Sequence, residues 1–205
     1  MAVSKLWLIN EGGLSRVLQY AANPKKTNNK LYVNGINCEP ETAYEEFTAV
    51  KHSYAKTGGI EAYHGYLSFK EQDITPELSL KIGTEFAQEV WGKRFQVLVT
   101  VHTDTEHPHC HFVINSVSFV DGKKLWGKEK AWFKFKQTAD RLCEKYGLYY
   151  NPKPVRGKSS SYHYNREKKG EPTRYLLARE AMEKALLQCT NTADLRSLNS
   201  VMSLL

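Results

Sequence analysis

The chain has 205 residues, 41% of them hydrophobic and 12% aromatic, which is enough apolar material for one sizeable packed domain and a smaller appendage. It carries 29 Lys and Arg residues against 22 Asp and Glu, and the resulting net charge of +7 favours a polyanionic partner such as nucleic acid. It has no run of about 18 apolar residues, which excludes a membrane-spanning helix, and its four scattered cysteines argue against a disulfide scaffold and for a reducing cytoplasm.

The first half of the chain predicts strands alternating with helices, from the spacing of its apolar residues and the positions of its turn formers. Thr75 is the predicted N-cap of the last helix in this half, because Pro76 follows at the first helical position and Glu77 comes next. The predicted elements are a strand at 4–10, a helix at 14–22, a basic loop at 23–30, a helix at 41–56, a strand at 60–69 and a helix from 75 to about 91.

The second half predicts two strands, a hairpin and a helix. Apolar and polar residues alternate through the first of these strands, so Val99 and Val101 lie on one face while Leu98 and His102 lie on the other. The predicted elements are strands at 94–102 and 109–119, an Asp-Gly turn at 120–124, a return strand at 123–127 and a helix at 131–147 that ends at a capping glycine.

These elements predict an α+β fold, with a central, mainly antiparallel sheet of about five strands and helices packed on it. A doubly wound sheet is disfavoured because a hairpin joins the central strands. Residues 1–150 form the predicted main domain. Residues 151–171 are rich in Pro, Ser, Lys and Arg and predict a basic flexible linker, and residues 172–205 predict a C-terminal segment of amphipathic helices.

The segment "HTDTEHPHCHFVIN" carries four of the seven histidines of the chain. His109 and His111 alternate along one strand and therefore share a face, and His102 ends the strand expected beside it. Three imidazoles on one face predict a metal site with open coordination positions, as a catalytic site requires. His107 precedes Pro108, outside the regular strand, and is expected in the second shell. Asp104 is close enough to orient a ligating histidine.

Two other interpretations of this cluster stay open. The histidines could form a metal-free polar surface, or they could hold a purely structural ion. A structural ion is disfavoured because such sites are normally closed by four ligands and often use thiolates. Cys110 points to the face opposite His109 and His111, so it is not expected to be a ligand.

Three motifs together resemble one family. "HTDTEHPHCHFVIN" resembles the third motif of MobA/VirD2-type relaxases, the conjugative DNA-nicking enzymes of the HUH endonuclease superfamily, with Asn115 at its end. "VLQYAANPKKT" resembles the first motif, a helical tyrosine followed by an Asn-Pro-x-Lys-Thr turn, and "YHGYLSFKEQDITPE" resembles the second. The motifs occur in family order over residues 14–115. The resemblance is to the MOBP-like, Gram-positive mobile-element type, and it implies a palm-like relaxase fold.

The resemblance implies that Tyr20 attacks one phosphodiester of single-stranded DNA, leaving a 3′ hydroxyl and a 5′ phosphotyrosine that is later rejoined. It implies a divalent ion on His102, His109 and His111. Mg or Mn is expected in use, although Zn, Ni or Co would also suit three imidazoles. Asp104 either orients a ligand histidine or accepts the tyrosine proton.

Seven further residues are expected in the second shell or in contact with DNA: His107, Asn115, His64, Ser68, Arg16, Lys25 and Lys26. The implied partner is DNA at a transfer origin, beside a hairpin, with other relaxosome proteins and a coupling protein. The implied location is the bacterial cytoplasm, without membrane insertion. Family members are usually longer, so the chain is expected to be a relaxase domain truncated from a longer protein.

Three rival functions also fit parts of the sequence. An iron oxygenase would use His102, Asp104 and His163 as its facial triad, but this leaves His109 and His111 without a role. A non-catalytic, metal-containing DNA-binding module would bind DNA without forming a covalent adduct. A rolling-circle replication initiator would share the chemistry and differ in its biology.

Overall fold

The structure is a computed structural model that describes residues 3–69, 71, 74–104, 108–125 and 129–150, together with 166, 169–171, 177 and 180. Contacts between Cα atoms divide the chain into two compact units, Met1–Lys153 and Pro154–Leu205. The predicted linker and C-terminal helices fall almost wholly outside the described residues, as do His107 and His163. Within the described part, no helix is both long and apolar enough to span a membrane.

The first unit is an α+β fold built on one five-stranded sheet, which confirms the predicted class. Its strands run in the order β1-β3-β5-β4-β2, and every neighbouring pair is antiparallel. The elements in chain order are β1 (Val3–Ile9), α1 (Leu14–Ala21), β2 (Val33–Ile36), α2 (Ala43–Ser53), β3 (Ala62–Ser68), α3 (Pro76–Val90), β4 (Val97–His102), β5 (His109–Asn115) and α4 (Glu129–Lys145), with a 3-10 turn at Pro40–Thr42.

The identity of one strand differs from the prediction. The fifth strand is β2, at the sheet edge, whereas the predicted return strand at 123–127 reduces, among the described residues, to a single bridge between Val117 and Lys124. The strand β2 has a weak sequence signal because Asn34 and Gly35 are poor strand formers. Gly35 is required there, since a Cβ atom would lie 1.9 Å from the carbonyl oxygen of Cys38.

The two faces of the sheet pack against different helices, as the predicted alternation requires. On one face, Val97, Val99 and Val101 join Phe112 in the larger core, which includes residues of α3 and α4. On the other face, Leu98 packs with residues of α1 and α2 in a smaller core. His102 lies four residues after Leu98 on β4. Since alternate residues share a face, His102 lies on the face that carries α1 and α2.

At the start of two helices, a side-chain oxygen accepts a hydrogen bond from a free backbone amide. The N-terminal amide of Leu14 in α1 donates to Oε2 of Glu61 at 2.9 Å. The predicted cap of α3 is confirmed, since the amide of Leu78 donates to Oγ1 of Thr75 at 3.2 Å. The helix α1 has eight residues and is therefore only about 12 Å long, so it covers part of its face of the sheet. The uncovered part is where β4 ends and β5 begins.

Candidate active site

A pocket of about 430 Å³ lies beside the C-terminal end of α1, where β4 ends and β5 begins. It collects the polar residues of three strands and of the loop that follows α1. Its lining residues are Tyr20, Lys26, Tyr66, Ser68, His102, Asp104, His109 and His111. Seven of these eight residues were predicted site residues, and Tyr66 is the addition.

Strand register brings the three histidines together. His102 pairs with His109 across β4 and β5, and Tyr66 of β3 pairs with His111 from the other side. The ring centroids of His102 and His111 lie 4.1 Å apart, and those of His109 and His111 lie 6.5 Å apart. The structure therefore brings the three rings together on one face of the sheet. The opposite orientation of Cys110 is also as predicted, since its Sγ atom contacts the carbonyl of Ser79 in α3.

Hydrogen bonds fix the rings of two of these histidines. Nε2 of His102 lies 2.9 Å from the carbonyl oxygen of Ala21. A carbonyl only accepts, so Nε2 carries the proton and the neutral ring keeps its lone pair on Nδ1. Nδ1 of His111 lies 3.2 Å from Nε2 of His64 on β3.

The environment keeps these imidazoles neutral. Burial first, and then the neighbouring His102, lower the pKa of His111 to about 2. Burial, and then His102, lower the pKa of His64 to about 4. Burial also lowers the pKa of His102, and the bond to the Ala21 carbonyl offsets part of this effect. A histidine binds a metal ion as the neutral imidazole, not as the imidazolium, so this environment suits metal binding.

The residues of the pocket fit a divalent ion by the chemistry of their donors. Within the described ranges, no three His, Cys, Asp or Glu side chains converge closely enough in this arrangement to hold an ion. Yet His102, His109 and His111 line one pocket, and hydrogen bonding leaves His102 a lone pair on Nδ1. Three imidazoles that also leave room for substrate are typical of catalytic metal sites.

Tyr20 lies at the mouth of the pocket, on the last turn of α1. Its side chain is 44% exposed, although most of the apolar residues of α1 are buried. Its ring packs edge-on against three imidazoles, at centroid distances of 5.3 Å to His102, 5.8 Å to His64 and 6.0 Å to His111. The ring thus contacts the histidines while the side chain remains partly exposed to solvent.

The "NPKKT" segment forms a turn that presents one lysine to the pocket. Oδ1 of Asn23 accepts from the amide of Lys25 at 3.0 Å, and the Asn23 carbonyl accepts from the hydroxyl of Thr27 at 2.9 Å. Thr27 is fully buried. The carbonyl of Lys26 accepts from the amide of Thr103 at 2.8 Å, which ties the turn to the end of β4. The Nζ atom of Lys26 then lies 5.1 Å from the centroid of the Tyr20 ring.

Asp104 contacts Lys26 in this structure. Its Oδ2 atom lies 2.6 Å from Nζ of Lys26, and the two side chains are 34% and 26% exposed. The hydrogen bond with Asp104 is the main cause that raises the pKa of Lys26, and the same bond lowers the pKa of Asp104. A pair this exposed contributes little stability, typically about 0–1 kcal/mol, so a phosphate can compete for the ammonium group.

The other predicted site residues lie at different places. His64 is buried behind His111, and Ser68 lines the pocket. Arg16 is exposed one helical turn before Tyr20 on the same helix face, and Lys25 is exposed in the turn.

Asn115 is not brought to the site. It ends β5, six residues beyond His109, and is therefore about 20 Å away along the strand. It is fully buried, and its Nδ2 atom donates to the Phe47 carbonyl at 3.2 Å and to Oε1 of Gln96 at 2.9 Å. These bonds hold α2 to the sheet, so the expected place for Asn115 near the metal or DNA is corrected to a structural one.

Sequence reasoning missed two aromatic residues around the histidines. Tyr66 has ring centroid distances of 6.3 Å to both His109 and His111. Trp7 of β1 packs edge-on against His64 at 4.5 Å. Tyr66 alternates with His64 and Ser68 along β3, so the three side chains share one face of the strand. This alternation is visible in the sequence and was sufficient to identify Tyr66. The contact of Trp7 with His64 depends on the pairing of β1 with β3, which no local pattern of the sequence predicts.

A larger pocket, of about 790 Å³, lies near the start of β4 and is lined by several cations. Its cations are already engaged: Nζ of Lys56 donates to the Gly122 carbonyl at 2.6 Å, and Arg94 pairs with Asp121 at 2.7 Å. These contacts hold the turn after β5 in place. The histidine cluster lies elsewhere, so the smaller pocket is the better candidate for chemistry.

Comparison with known proteins identifies the family of this chain. Residues 20–148 match the family model described as "Relaxase: MobA/VirD2-like, nuclease domain". The chain is 36% identical over 148 residues to a "Protein rlx" of Staphylococcus aureus, covering 72% of this chain and 44% of that protein. A second "Protein rlx" of the same species is 35% identical over 134 residues, covering 65% of this chain and 39% of that protein. The chain thus spans less than half the length of these relatives.

A solved structure from work on the molecular basis of vancomycin resistance transfer in Staphylococcus aureus has a similar fold. The two superpose with a TM-score of 0.52 at 14% identity, covering 79% of this chain and 100% of that one. This likeness shows the fold, and the family match over more than half of the residues establishes the family that the three motifs resemble. The chain belongs to the MobA/VirD2-like relaxase family.

Proposed function

We propose that the chain nicks one strand of DNA at a transfer origin, and later rejoins it, for conjugative transfer or mobilisation. The observation that carries this proposal is the position of Tyr20. It is the exposed tyrosine at the mouth of a pocket of histidines, with a lysine ammonium 5.1 Å from its ring. A candidate nucleophile, a cation for a phosphate and candidate metal ligands thus line one pocket, which supports phosphoryl transfer.

The proposed reaction is a transesterification. The hydroxyl oxygen of Tyr20 forms a bond to phosphorus while the bond from phosphorus to the 3′ oxygen breaks. The phenolic proton is transferred, in net terms, to that 3′ oxygen. The products are a free 3′ hydroxyl and a 5′ phosphotyrosine, and the 3′ hydroxyl can later attack the phosphotyrosine to restore the strand. One diester replaces another, so the step is reversible without an external energy source.

The pocket must overcome the weak nucleophilicity of a phenol. A phenol with an ordinary pKa of about 10 is ionised in only about one part in a thousand at pH 7, a deficit of about 4 kcal/mol. A divalent ion bound by His102, His109 and His111 supplies charge stabilisation and alignment of the phosphate. Mg or Mn is the proposed ion in use, and Zn, Ni or Co are alternatives for the same imidazoles.

Lys26 and Asp104 act next to Tyr20 in this proposal. Before DNA binds, Asp104 holds the ammonium group of Lys26 beside the tyrosine ring. When the scissile phosphate enters, Lys26 transfers its hydrogen bond to a non-bridging phosphate oxygen, because the exposed pair with Asp104 is weak. Asp104 is then released to accept the tyrosine proton.

The surface around Tyr20 suits the backbone of single-stranded DNA. Arg16 and Lys25 are exposed on either side of Tyr20 in the chain, and Ser68 lines the pocket. Cations at such positions contact phosphates and so position a strand without specifying its sequence. The proposed partners beyond this strand are an adjacent DNA hairpin, other relaxosome proteins and a coupling protein, in the bacterial cytoplasm.

A covalent-capture experiment tests the proposal. The chain is incubated with Mn²⁺ and single-stranded DNA that includes the transfer origin of its own element, and denaturing gels detect a protein–DNA adduct. The expected result is an adduct that disappears with Tyr20→Phe and with a chelator, and that persists with Tyr44→Phe. Tyr44 is the matched control because it is 45% exposed but lies on α2. DNA and metal binding without any adduct would contradict the proposal and favour a non-catalytic binding module.

A further inference from the structure

His64 occupies a buried position directly behind the pocket. It lies on β3 and is only 4% exposed. Its strand pairs with β1 on one side and with β5 on the other, so Trp7 and Val113 are its cross-strand partners. The Trp7 ring packs against the His64 ring at 4.5 Å. A side chain covered in this way is poorly placed to contact a DNA strand.

The contact between His64 and His111 restricts where the protons are. Nε2 of His64 and Nδ1 of His111 are 3.2 Å apart. Two N–H groups directed at each other would repel, so one nitrogen donates and the other accepts. If His64 donates, Nδ1 of His111 accepts the bond. The proton of the neutral His111 ring then lies on Nε2 of His111, and this nitrogen cannot bind a cation. If His111 donates from Nδ1, its Nε2 keeps a lone pair.

We propose that His64 is a positioning residue that accepts the Nδ1 proton of His111 and thereby keeps the lone pair of His111 on Nε2, for a divalent ion. This inference rests on the proposed function, because it assigns His111 as a metal ligand. Its physical basis is that a histidine ligand is oriented by the hydrogen bond of its second nitrogen. The same principle applies to His102, whose second nitrogen donates to the Ala21 carbonyl.

The surrounding structure supports a positioning role. Antiparallel pairing of β3 with β5 fixes the backbone on which both histidines stand. The rings of Trp7 and Tyr20 both pack edge-on with the His64 ring, at centroid distances of 4.5 Å and 5.8 Å, and restrict its movement. Gly65 permits this close pairing with β1, since a Cβ atom there would lie 2.8 Å from the carbonyl oxygen of Lys5.

The test uses two variants of the full chain. His64→Phe keeps a buried ring but removes the acceptor, whereas His64→Gln retains a side-chain carbonyl that can accept. Trp7→Phe is the control, because it changes packing on the same ring without removing the hydrogen bond. Two quantities are measured: the Mn²⁺ dissociation constant by titration calorimetry without DNA, and the tautomer of His111 by two-bond ¹H–¹⁵N NMR of the apo protein.

The expected result is a proton on Nδ1 of His111 in the parent and a Mn²⁺ affinity weakened roughly 10–100-fold in His64→Phe. His64→Gln should recover most of this affinity, and Trp7→Phe should lower the melting temperature while leaving the dissociation constant unchanged. An unchanged affinity in a folded His64→Phe variant, or a proton on Nε2 of His111, would overturn the inference. Equal loss in His64→Phe and Trp7→Phe would also overturn it, because packing alone would then explain the effect. If these failures accompany a normal Tyr20 adduct, only the inference falls and the proposed function stands.

Discussion

His102 and Ala21 are joined by a hydrogen bond of 2.9 Å between the imidazole Nε2 and the carbonyl oxygen. This bond connects the end of β4 with the last residue of α1, directly next to Tyr20 in the chain. It also satisfies one of the carbonyl groups that a helix C-terminus leaves without an intrahelical partner. The proposed nucleophile and a proposed metal ligand are therefore held in position by the same contact.

Lys26 and Lys25 should differ strongly in their importance, although they are neighbours of equal charge. Lys26→Ala removes the ammonium beside Tyr20 and should reduce the rate of adduct formation by roughly 10–100-fold, since a hydrogen bond to a charged group contributes about 1.5–3 kcal/mol. Lys25→Ala removes a cation that is exposed in the turn, and we expect a smaller effect that appears in DNA affinity. Single-turnover kinetics at saturating DNA separates the two. Equal losses in both variants would reduce Lys26 to a general electrostatic contribution.

The proposed ligands should make the stability of the folded chain dependent on a divalent ion. An ion that binds only the folded state raises its free energy of unfolding by about 2.7 kcal/mol at one hundred times the dissociation constant. Thermal melts with and without Mn²⁺ should therefore show a clear upward shift in the parent and in His52→Ala, which changes an exposed histidine of α2. The shift should vanish in His109→Ala. A shift of equal size in all three proteins would place the ion elsewhere.

Gly83 of α3 should be intolerant of a side chain. A Cβ atom there would lie 2.7 Å from Sγ and 3.2 Å from Cβ of Cys110, which stands on β5 between His109 and His111. Gly83→Ala gains helix propensity but forces α3 and β5 apart, and we expect a net loss of about 1–2 kcal/mol in the free energy of unfolding. Gly58→Ala, which meets no atom within 4 Å, should change stability by less than about 0.5 kcal/mol. Urea denaturation measures both, and a neutral Gly83→Ala would show that this packing is loose.

Lys51 of α2 should destabilise the protein at neutral pH. Its Nζ atom is buried without a hydrogen-bond partner among the described residues. Burial is the main cause that lowers its pKa to about 8, with Glu61 opposing this shift and Lys124 adding to it. We expect Lys51→Met to raise the free energy of unfolding at pH 7 by about 1–3 kcal/mol, at about 1.4 kcal/mol per pKa unit. Lys93→Met, which changes an exposed lysine, should have little effect.

The sign of the pH dependence makes this prediction specific. In the unfolded chain Lys51 titrates near 10.5, and in the folded chain near 8. Between these values the unfolded state binds more protons, so the contribution of Lys51 to the free energy of unfolding rises with pH. The advantage of Lys51→Met is therefore full below pH 8 and shrinks as pH rises towards 10.5. Denaturation at pH 7 and pH 9.5 measures it, and an advantage that grows with pH would contradict the assignment.

Strand periodicity explains why so much of the site was predictable. His109 and His111 alternate on one strand, and a short loop separates them from His102, so local rules placed all three together and placed Cys110 on the other face. The "NPKKT" turn was equally visible because its bonds join residues within four positions of each other.

What the sequence did not predict depends on contacts between distant residues. Asp104 and Lys26 are 78 positions apart, and nothing local favours their ion pair over a bond from Asp104 to a histidine. The packing of Trp7 on His64 requires the pairing of β1 with β3. Asn115 belongs to the same motif as the histidines, but the length of β5 carries it to the far end of the sheet.

The chemical identity of the DNA-linked residue tests the central claim most directly. The adduct formed with the transfer-origin DNA is digested with trypsin and nuclease and analysed by mass spectrometry. Trypsin releases residues 17–25 as one peptide, in which Tyr20 is the only tyrosine. The account predicts a nucleotide attached to this peptide through a phosphodiester on Tyr20. A nucleotide found on any other residue, such as Tyr66 in the same pocket, would contradict the assignment of Tyr20 as the nucleophile.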